Sequence, residues 1–204
     1  MKWIYSSIII LLVAVSVSAQ SMGTITYNVA VPNDKLDSYI DQISWRGVGL
    51  EGRWFQSNEL SFGVSFGWNV FDLRTSNVIE VSNAGVGGAV SGTQIRYVNT
   101  FPMLATGHYY IGKKRDQARF YLGAGVGTYY ILQRLEIGLV AFESNNWHFG
   151  FAPEAGVLLT LSREVTMIFN VKYNYAFSSG EALGGGDNDV QYWGFNIGFA
   201  WQNW

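Results

Sequence analysis

Three residues close together in the sequence have the side chains that acyl-ester hydrolysis uses, namely Glu143, Ser144 and His148. A hydroxyl nucleophile, an imidazole base and a carboxylate form such a site when the fold brings them together. Here all three lie in or beside one predicted loop, and no oxyanion-hole motif accompanies them. We therefore favour a solvated loop and retain a lipid-modifying hydrolase as an alternative. The other histidine, His108, is predicted to stand alone near a strand end.

A second candidate site consists of polar side chains that alternate with bulky apolar ones. They share their predicted strand faces with glycine and serine. The set is Glu51, Arg53, Arg96, Glu154, Lys172, Asn170 and Asn196. A buried charge must be paired, because an isolated ion is costly away from water. We therefore expect a polar network that fills and rigidifies the interior, with an ion-selective or gated pore as the alternative.

The composition excludes several classes of site. There is no cysteine, which rules out disulfides and thiolate metal sites. The 13 basic and 15 acidic residues give no basic surplus for binding nucleic acid. The glycine runs 85–88 and 184–186 lack the strand-to-helix context of a phosphate-binding loop. The sequence has no evident metal-ligand cluster or catalytic carboxylate pair, so we expect no metal, no cofactor and no enzymatic activity.

The elements that must position these residues follow the pattern of the stretch 60–70. Its even positions are large and apolar, as in Phe62 and Phe66, and its odd positions are small or polar, as in Gly63 and Ser65. A period of two predicts a β-strand with two different faces. Bulk on one face and small groups on the other favour a narrow membrane barrel whose bulky side chains face lipid. A soluble lipocalin-like barrel would need the opposite orientation.

The same alternation predicts eight strands. They cover about 23–31, 45–55, 59–71, 93–111, the region between 117 and 132, 147–161, 165–177 and 190–203. Three connections are tight, at 56–58, 112–116 and 162–164, and four are longer, at 32–44, 72–92, 133–146 and 178–189. Strand structure extending into 133–146 is left open. Pro102 predicts a bulge in the fourth strand, because proline cannot donate to a β-ladder.

The tight turn around Arg163 places Glu154 directly opposite Lys172 on neighbouring strands. Both side chains face inward by parity, so we expect a cross-strand ion pair. Aromatic residues near strand ends predict girdles at the two edges of a membrane. They are Trp54, Tyr109, Tyr110, Tyr129, Tyr130, Trp147, Tyr175, Trp193 and Trp201.

The first residues have the pattern of a secretory signal. Lys2 precedes an apolar run at 3–15, and the small residues at 17–19 predict cleavage after Ala19. The run is shorter than the roughly 20 residues of a membrane-spanning helix. We therefore expect a signal peptide at 1–19 and one barrel domain at 20–204.

An even strand count puts both termini and all three tight turns on one side. The connections on that side are short and those on the other side are longer. In this difference the chain resembles the small eight-stranded bacterial outer-membrane β-barrel proteins, the OmpA/OmpX-like and porin-family-like group. The resemblance covers about 23–204 and implies an all-β, antiparallel up-and-down transmembrane barrel, a monomer in outer-membrane lipid. It also implies that the barrel-assembly machinery recognises the last strand, here through Phe199, Trp201 and Trp204.

The expected function is a structural or surface-interaction role in the cell envelope. A narrow pore for ions or small solutes and a lipid-modifying hydrolase are the alternatives. Loops on a rigid scaffold usually carry function, so an extracellular ligand is expected at 72–92 and 178–189.

Overall fold

The computed structural model describes residues 20–83, 86–113, 116–137, 140–162, 164–180 and 188–203, with the backbone alone for 76–83, 86–93, 140, 202 and 203. The predicted signal peptide, Arg163 and Trp204 lie outside these residues. Eight strands close into one barrel in which every neighbouring pair is antiparallel and β8 pairs with β1. They are β1 (Ser21–Asn33), β2 (Arg46–Phe55), β3 (Leu60–Asn83), β4 (Val86–Ile111), β5 (Ala118–Ile137), β6 (Val140–Thr160), β7 (Val165–Ala176) and β8 (Val190–Asn203).

The orientation of the side chains is as the alternation predicts. Phe62 and Phe66 are each 53% exposed on the outside of the barrel, whereas Ser61 and Ser65, which precede them, are buried inside. The bulky residues of β8, such as Phe195, also face outward. The lipocalin-like alternative, which needs the bulky side chains inside, is therefore wrong.

The two ends of the barrel differ. The turn end carries the three tight turns and both ends of the described chain, and the loop end carries the longer connections. Strands β3 to β6 contain 20 to 26 residues, against 10 to 14 in β1, β2, β7 and β8. Half of the barrel wall therefore rises above the other half at the loop end, and we call this half the raised sheet.

The raised sheet corrects the prediction of a loop at 72–92. The β3–β4 ladder continues through this segment as far as the pair Asn83 and Val86. The β5–β6 ladder likewise continues to Ile137 and Val140, so the strand structure that was left open at 133–146 is present. The sequence lacks a sustained apolar alternation there, so its period did not indicate the strands.

The predicted bulge at Pro102 is absent. The pairs Phe66–Met103 and Asn69–Thr100 on either side of it have the same register, and pairing with β5 is continuous. The ring of Pro102 points into the barrel opposite Gly67, where a side chain would approach the proline Cγ to within 2.9 Å. Glycine thus makes room for the ring, and the strand continues without an extra residue.

The connection between β1 and β2 contains a short helix, α1 (Lys35–Tyr39), where the sequence predicts a polar loop. Leu36 and Ile40 are buried in a cluster with Phe71, Tyr129 and other inward residues. No helix among the described residues is long and apolar enough to cross a membrane. The helix closes the interior of the barrel at the loop end.

Polar contacts hold α1 against the start of β8. Lys35 donates a hydrogen bond to Asp189, and Gln191 Nε2 lies 2.9 Å from Asp189 Oδ2 and 3.1 Å from Asp34 Oδ2. Partial burial raises the pKa of Asp189, but the hydrogen bonds from Lys35 and Gln191 outweigh it and hold that pKa below its usual value. The ionised carboxylate is therefore the form that fastens α1.

We expect α1 to stay fastened from pH 8 to about pH 5 and to loosen below about pH 4. A carboxyl group whose pKa is lower in the folded state stabilises it above the unfolded pKa, near 3.9, and this contribution is lost as the pH falls through the folded pKa. Hydrogen exchange of the α1 peptide, corrected for intrinsic rates, measures this. Asp189→Asn should show the faster exchange already at pH 7, whereas the exposed Asp37→Asn should not. Equal exchange in both variants would contradict the role of Asp189.

Candidate functional site

Five inward side chains from four strands meet in one layer of the lumen. β2 contributes Glu51 and Arg53, β4 contributes His108, β6 contributes Glu154 and β7 contributes Lys172. Arg53 is fully buried and His108 is 1% exposed. We call this set the charged layer, and it is the only part of the described lumen where so many ionisable groups touch.

Arg53 is the centre of the charged layer. Its Nη2 atom lies 2.8 Å from Glu51 Oε2 and 3.2 Å from Glu154 Oε1. The guanidinium also stands 4.5 Å from the centre of the Tyr121 ring. Its Nη1 atom donates to the Tyr110 hydroxyl at 3.2 Å. A planar guanidinium with five donors suits these several directions, which an ammonium group could not satisfy at once.

The pairing of Glu154 with Lys172 is present. The two residues are opposite each other in the β6–β7 ladder, and Lys172 Nζ lies 2.9 Å from Glu154 Oε2. Glu154 therefore has a cation at each of its oxygens, because Arg53 approaches the other one. The two carboxylates, one guanidinium and one ammonium of the layer balance each other in formal charge.

Arg96 is not part of this network, which corrects its predicted place there. It lies on β4 about ten residues from Thr106, the residue that donates to Glu51, and this is roughly 33 Å along an extended strand. Its guanidinium stacks on the Tyr39 ring of α1 at 4.9 Å, and Nη1 donates to the Tyr39 carbonyl at 3.0 Å. Arg96 thus supports the helix at the loop end.

The two predicted asparagines lie beside the charged layer. Asn170 Nδ2 donates to the Tyr121 hydroxyl at 3.0 Å, and Asn196 Nδ2 donates to Asn170 Oδ1. They connect the charged layer to a cavity of about 50 Å³ towards the loop end. Polar side chains such as Asn28, Asn69 and Asn174 line this cavity. It has room for several water molecules and is too small for a sugar or a lipid chain.

His108 is the functional residue that sequence reasoning missed. It does not stand alone, because its Nε2 atom lies 2.8 Å from Glu154 Oε1 and 3.3 Å from Glu51 Oε1. Gly123 on β5 makes this possible, since a side chain there would overlap the imidazole ring. A constant register through Pro102 would have indicated that His108 faces inward, because residues six apart on a strand share a face.

The candidate hydrolase residues do not meet. Glu143 pairs with Arg134 at 3.0 Å, Ser144 accepts a hydrogen bond from Asn146, and His148 Nδ1 lies 2.8 Å from the carbonyl oxygen of Phe177. His148 is buried inside β6 and is not in a loop. Each of these polar groups has a structural partner, so this arrangement does not support acyl transfer.

A hydroxyl, an imidazole and a carboxylate do line up elsewhere, in the charged layer. Ser61 Oγ lies 3.4 Å from His108 Nδ1, and His108 Nε2 contacts Glu154. However, Ser61 is fully buried and its hydroxyl lies 3.1 Å from that of Tyr110. A nucleophile needs access to its substrate, which this serine lacks among the described residues. We interpret the three residues as a structural hydrogen-bond chain.

The charged layer also has ligand atoms suited to a metal ion, but its carboxylates have no free negative charge to offer one. Glu51, His108 and Glu154 each bring one ligand atom to within 4.8 Å of the others. Arg53 and Lys172 already neutralise the two carboxylates. A divalent cation would leave a net charge of about +2 in a site of low dielectric, which is strongly unfavourable. The residues present therefore do not fit a metal ion.

Apolar layers close the lumen on both sides of the charged layer. Towards the loop end lie Phe71, Tyr129 and Tyr192 beneath α1. Towards the turn end lie Met22, Leu158 and other residues of a second cluster that includes Tyr110 and Tyr121. Tyr110 and Tyr129 are therefore lumen residues, which corrects their assignment to the aromatic girdles. The tyrosines next to them in the sequence, Tyr109 and Tyr130, are at positions that face outward.

We expect the wild-type protein to show no steady current in a planar lipid bilayer at 100 mV. The physical reason is that ions would have to cross two apolar layers and displace a paired Arg53. Bilayers treated with the same detergent but no protein are the control. A steady open-channel current that scales with added protein would contradict this prediction.

Two residues of the expected assembly signal lie on the outward face of the last strand. Phe199 is 43% and Trp201 is 52% exposed, both on the outside of β8. Trp204, the third residue of the expected signal, lies outside the described residues. The recognition of this strand by an assembly machinery remains a prediction.

Comparison with family models and with curated proteins finds no match for this chain. Among solved structures, the chain is similar to Ail, the attachment invasion locus protein of Yersinia pestis, at 8% identity and a TM-score of 0.52, covering 91% of this chain and 97% of that one. Ail in complex with the heparin analogue sucrose octasulfate gives 11% identity and a TM-score of 0.51 over the same shares. The outer-membrane protein OprG from Pseudomonas aeruginosa gives 15% identity and a TM-score of 0.49, covering 91% and 96%.

At these identities the similarity is one of fold. The neighbours are bacterial outer-membrane barrels, and the strand number, the closure and the outward bulk of this chain match that architecture. The chain has the fold of the small eight-stranded outer-membrane β-barrel proteins of the OmpA/OmpX-like type.

Proposed function

We propose that the protein is an integral outer-membrane barrel that acts by contact at the cell surface, without enzymatic activity. The location is supported by the fold of its neighbours and by the outward apolar side chains. In this orientation the turn end faces the periplasm and the loop end faces the outside of the cell, as in other barrels of this type. Cleavage after Ala19, assembly through the last strand and a monomeric state complete the proposal.

The raised sheet is the observation that carries this function. A strand needs about 9–11 residues to cross the membrane, whereas β3 has 24 residues and β4 has 26. At about 3.3 Å per residue and a tilt near 40°, the surplus of about 15 residues lifts the hairpin roughly 38 Å above the bilayer. A barrel that served only to brace the membrane would not need such an extension.

The closed lumen supports surface contact over the pore alternative. Each carboxylate of the charged layer has a cationic partner, and apolar layers lie on both sides of the layer. Such a core stiffens the barrel, and a stiff barrel is a suitable base for a projecting contact surface. Ail has been crystallised with a heparin analogue, so ligand contact is a role that a protein of this fold can perform.

The test is to shorten the raised sheet while keeping the barrel. Replacing 75–94 and 134–143 each by the two-residue turn Asn-Gly preserves the antiparallel pairing of the remaining strands. We expect the shortened protein to fold, as shown by a shift in gel mobility on boiling, and cells that display it to lose adherence to surfaces. The resistance of the same cells to detergent, compared with that of cells displaying the wild-type protein, measures any structural role of the barrel in the envelope. Unchanged adherence with the shortened protein would overturn the surface-contact function.

A further inference from the structure

An apolar groove runs across the outside of the barrel between two rows of bulky side chains. It has a volume of about 610 Å³ and lies over β5 to β8, with its ends at Ile111 of β4 and Val29 of β1. Ala155 forms its floor, because this small residue lies in the row where the neighbouring strands carry Leu122 and Val171. We call it the outer groove.

The outer groove rises from the turn end into the barrel wall. Ile111 is the last residue of β4 and pairs with Phe120, beside the turn 112–116. Val29 lies eight residues along β1 from Ser21, the turn-end residue of that strand, which is roughly 20 Å of height at a tilt near 40°. One leaflet contributes about 15 Å of the hydrocarbon core. The groove therefore crosses one leaflet from the membrane surface inward, as an acyl chain does.

A cationic side chain lies at the turn end of the outer groove. The turn 112–116 contains three basic residues and one acidic residue. Among them Lys113, two positions after Ile111, is exposed and makes no ion pair with a residue that the structure describes. The carboxylate of Asp116 instead accepts a hydrogen bond from the backbone N–H of Lys113, at 2.7 Å. The ammonium group of Lys113 can therefore bind an anion at the membrane surface.

A second groove elsewhere on the barrel has no such cation beside it. It has a volume of about 390 Å³ and lies over β8, β1, β2 and β3, where Gly52 and Phe66 are among its walls. The adjoining turn, 56–58, contains no charged residue and is followed by the exposed Glu59. The two grooves therefore offer similar apolar surfaces with opposite charge at the membrane surface.

We propose that the outer groove binds one anionic phospholipid, with an acyl chain between the rows of bulky side chains and the phosphate at Lys113. Lipid tails are as apolar as leucine, so the groove holds a chain by close packing and not by removing it from water. The charge selects the lipid, because a basic side chain at a membrane surface attracts anionic headgroups. This inference rests on the location of the barrel in a membrane and is independent of the surface-contact function.

The acyl-chain site is tested by filling the groove. Ala155→Phe places a ring on its floor, and Gly52→Phe, the matched control, fills the second groove. The probe is palmitoyl-oleoyl phosphatidylglycerol, titrated against the folded protein in detergent micelles, with native mass spectrometry to count bound lipids. We expect wild type and Gly52→Phe to retain one lipid and Ala155→Phe to bind it about fivefold more weakly. A shift in gel mobility on boiling verifies that each variant is folded.

The headgroup site is tested by Lys113→Gln. We expect binding of phosphatidylglycerol to weaken about threefold, and binding of phosphatidylethanolamine with the same acyl chains, which has no net charge, to stay unchanged. Arg74→Gln makes the same change in net charge at an exposed position of the raised sheet, far from the outer groove, and should have no effect.

Several results would overturn the inference. They are no lipid retained by wild type, equal loss of binding in Ala155→Phe and Gly52→Phe, equal effects of Lys113→Gln and Arg74→Gln, and dimers that Ala155→Phe abolishes. The last result would assign the outer groove to a second copy of this chain. These measurements do not involve the raised sheet, so adherence after its shortening tests the surface-contact function separately.

Discussion

Glu154→Ala is expected to lower the free energy of unfolding by about 3–5 kcal/mol. The change leaves Arg53 with Glu51 alone and Lys172 with no carboxylate in contact, and breaking one member of a buried ion pair has a cost of this size. His108 also loses its closest acceptor. Urea unfolding of the protein in lipid vesicles, followed by tryptophan fluorescence, measures the effect.

The double variant Glu154→Gln with Lys172→Met separates charge imbalance from lost volume. It removes one negative and one positive charge and keeps both side chains long, so we expect it to recover most of the lost stability. Glu164→Gln in an exposed turn serves as the control and should change the stability by less than about 0.5 kcal/mol. A single variant as stable as wild type, or a double variant no better than the single one, would contradict a paired charged layer.

Gly198→Ala is expected to destabilise the barrel by about 3 kcal/mol or to prevent its closure. Gly198 faces inward on β8, and an alanine Cβ there would overlap the carbonyl oxygen of Ile25 on β1. The obstacle is backbone and cannot rotate away, so the two strands that close the barrel must move apart. The fraction of protein that migrates as the compact form on an unboiled gel measures the effect.

Gly23→Ala is the matched control. Gly23 lies in the same β1–β8 ladder, opposite Trp201, but a Cβ built on it has nothing within 4 Å. We therefore expect wild-type folding from Gly23→Ala. Similar losses in both variants would show that alanine disturbs this ladder for a reason other than the close approach at Gly198.

The charged layer shows why some pairs can be predicted and others cannot. Glu154 and Lys172 are joined by one tight turn, and a short turn sets the register of the two strands it connects. Arg53 and Glu154 are on β2 and β6, which are not neighbours. Their contact crosses the lumen and depends on the tilt of all eight strands, which no local pattern encodes.

The loop end also contains features that the sequence could not predict. The alternation of the sequence is lost in 72–92, so the hairpin that the backbone pairing shows there could not be predicted from the pattern. Likewise Leu36 and Ile40 appear as two apolar residues in a polar connection. Only the mouth of the closed barrel, with Phe71 and Tyr129 inside it, explains why Leu36 of α1 and Ile40, which follows the helix, are buried.

The sequence by itself determined that eight strands alternate, that their bulky side chains face outward and that inward charges must be paired. These properties follow from the period of two and from the cost of an unpaired charge, both of which act within a strand or between neighbours. The tertiary structure decided which charges meet, where the lumen is closed and how high half of the wall rises. When the barrel closes, residues of strands that are distant in the sequence come to lie at the same height along the barrel axis. Which residues share a height depends on the pairing register of all eight strands together.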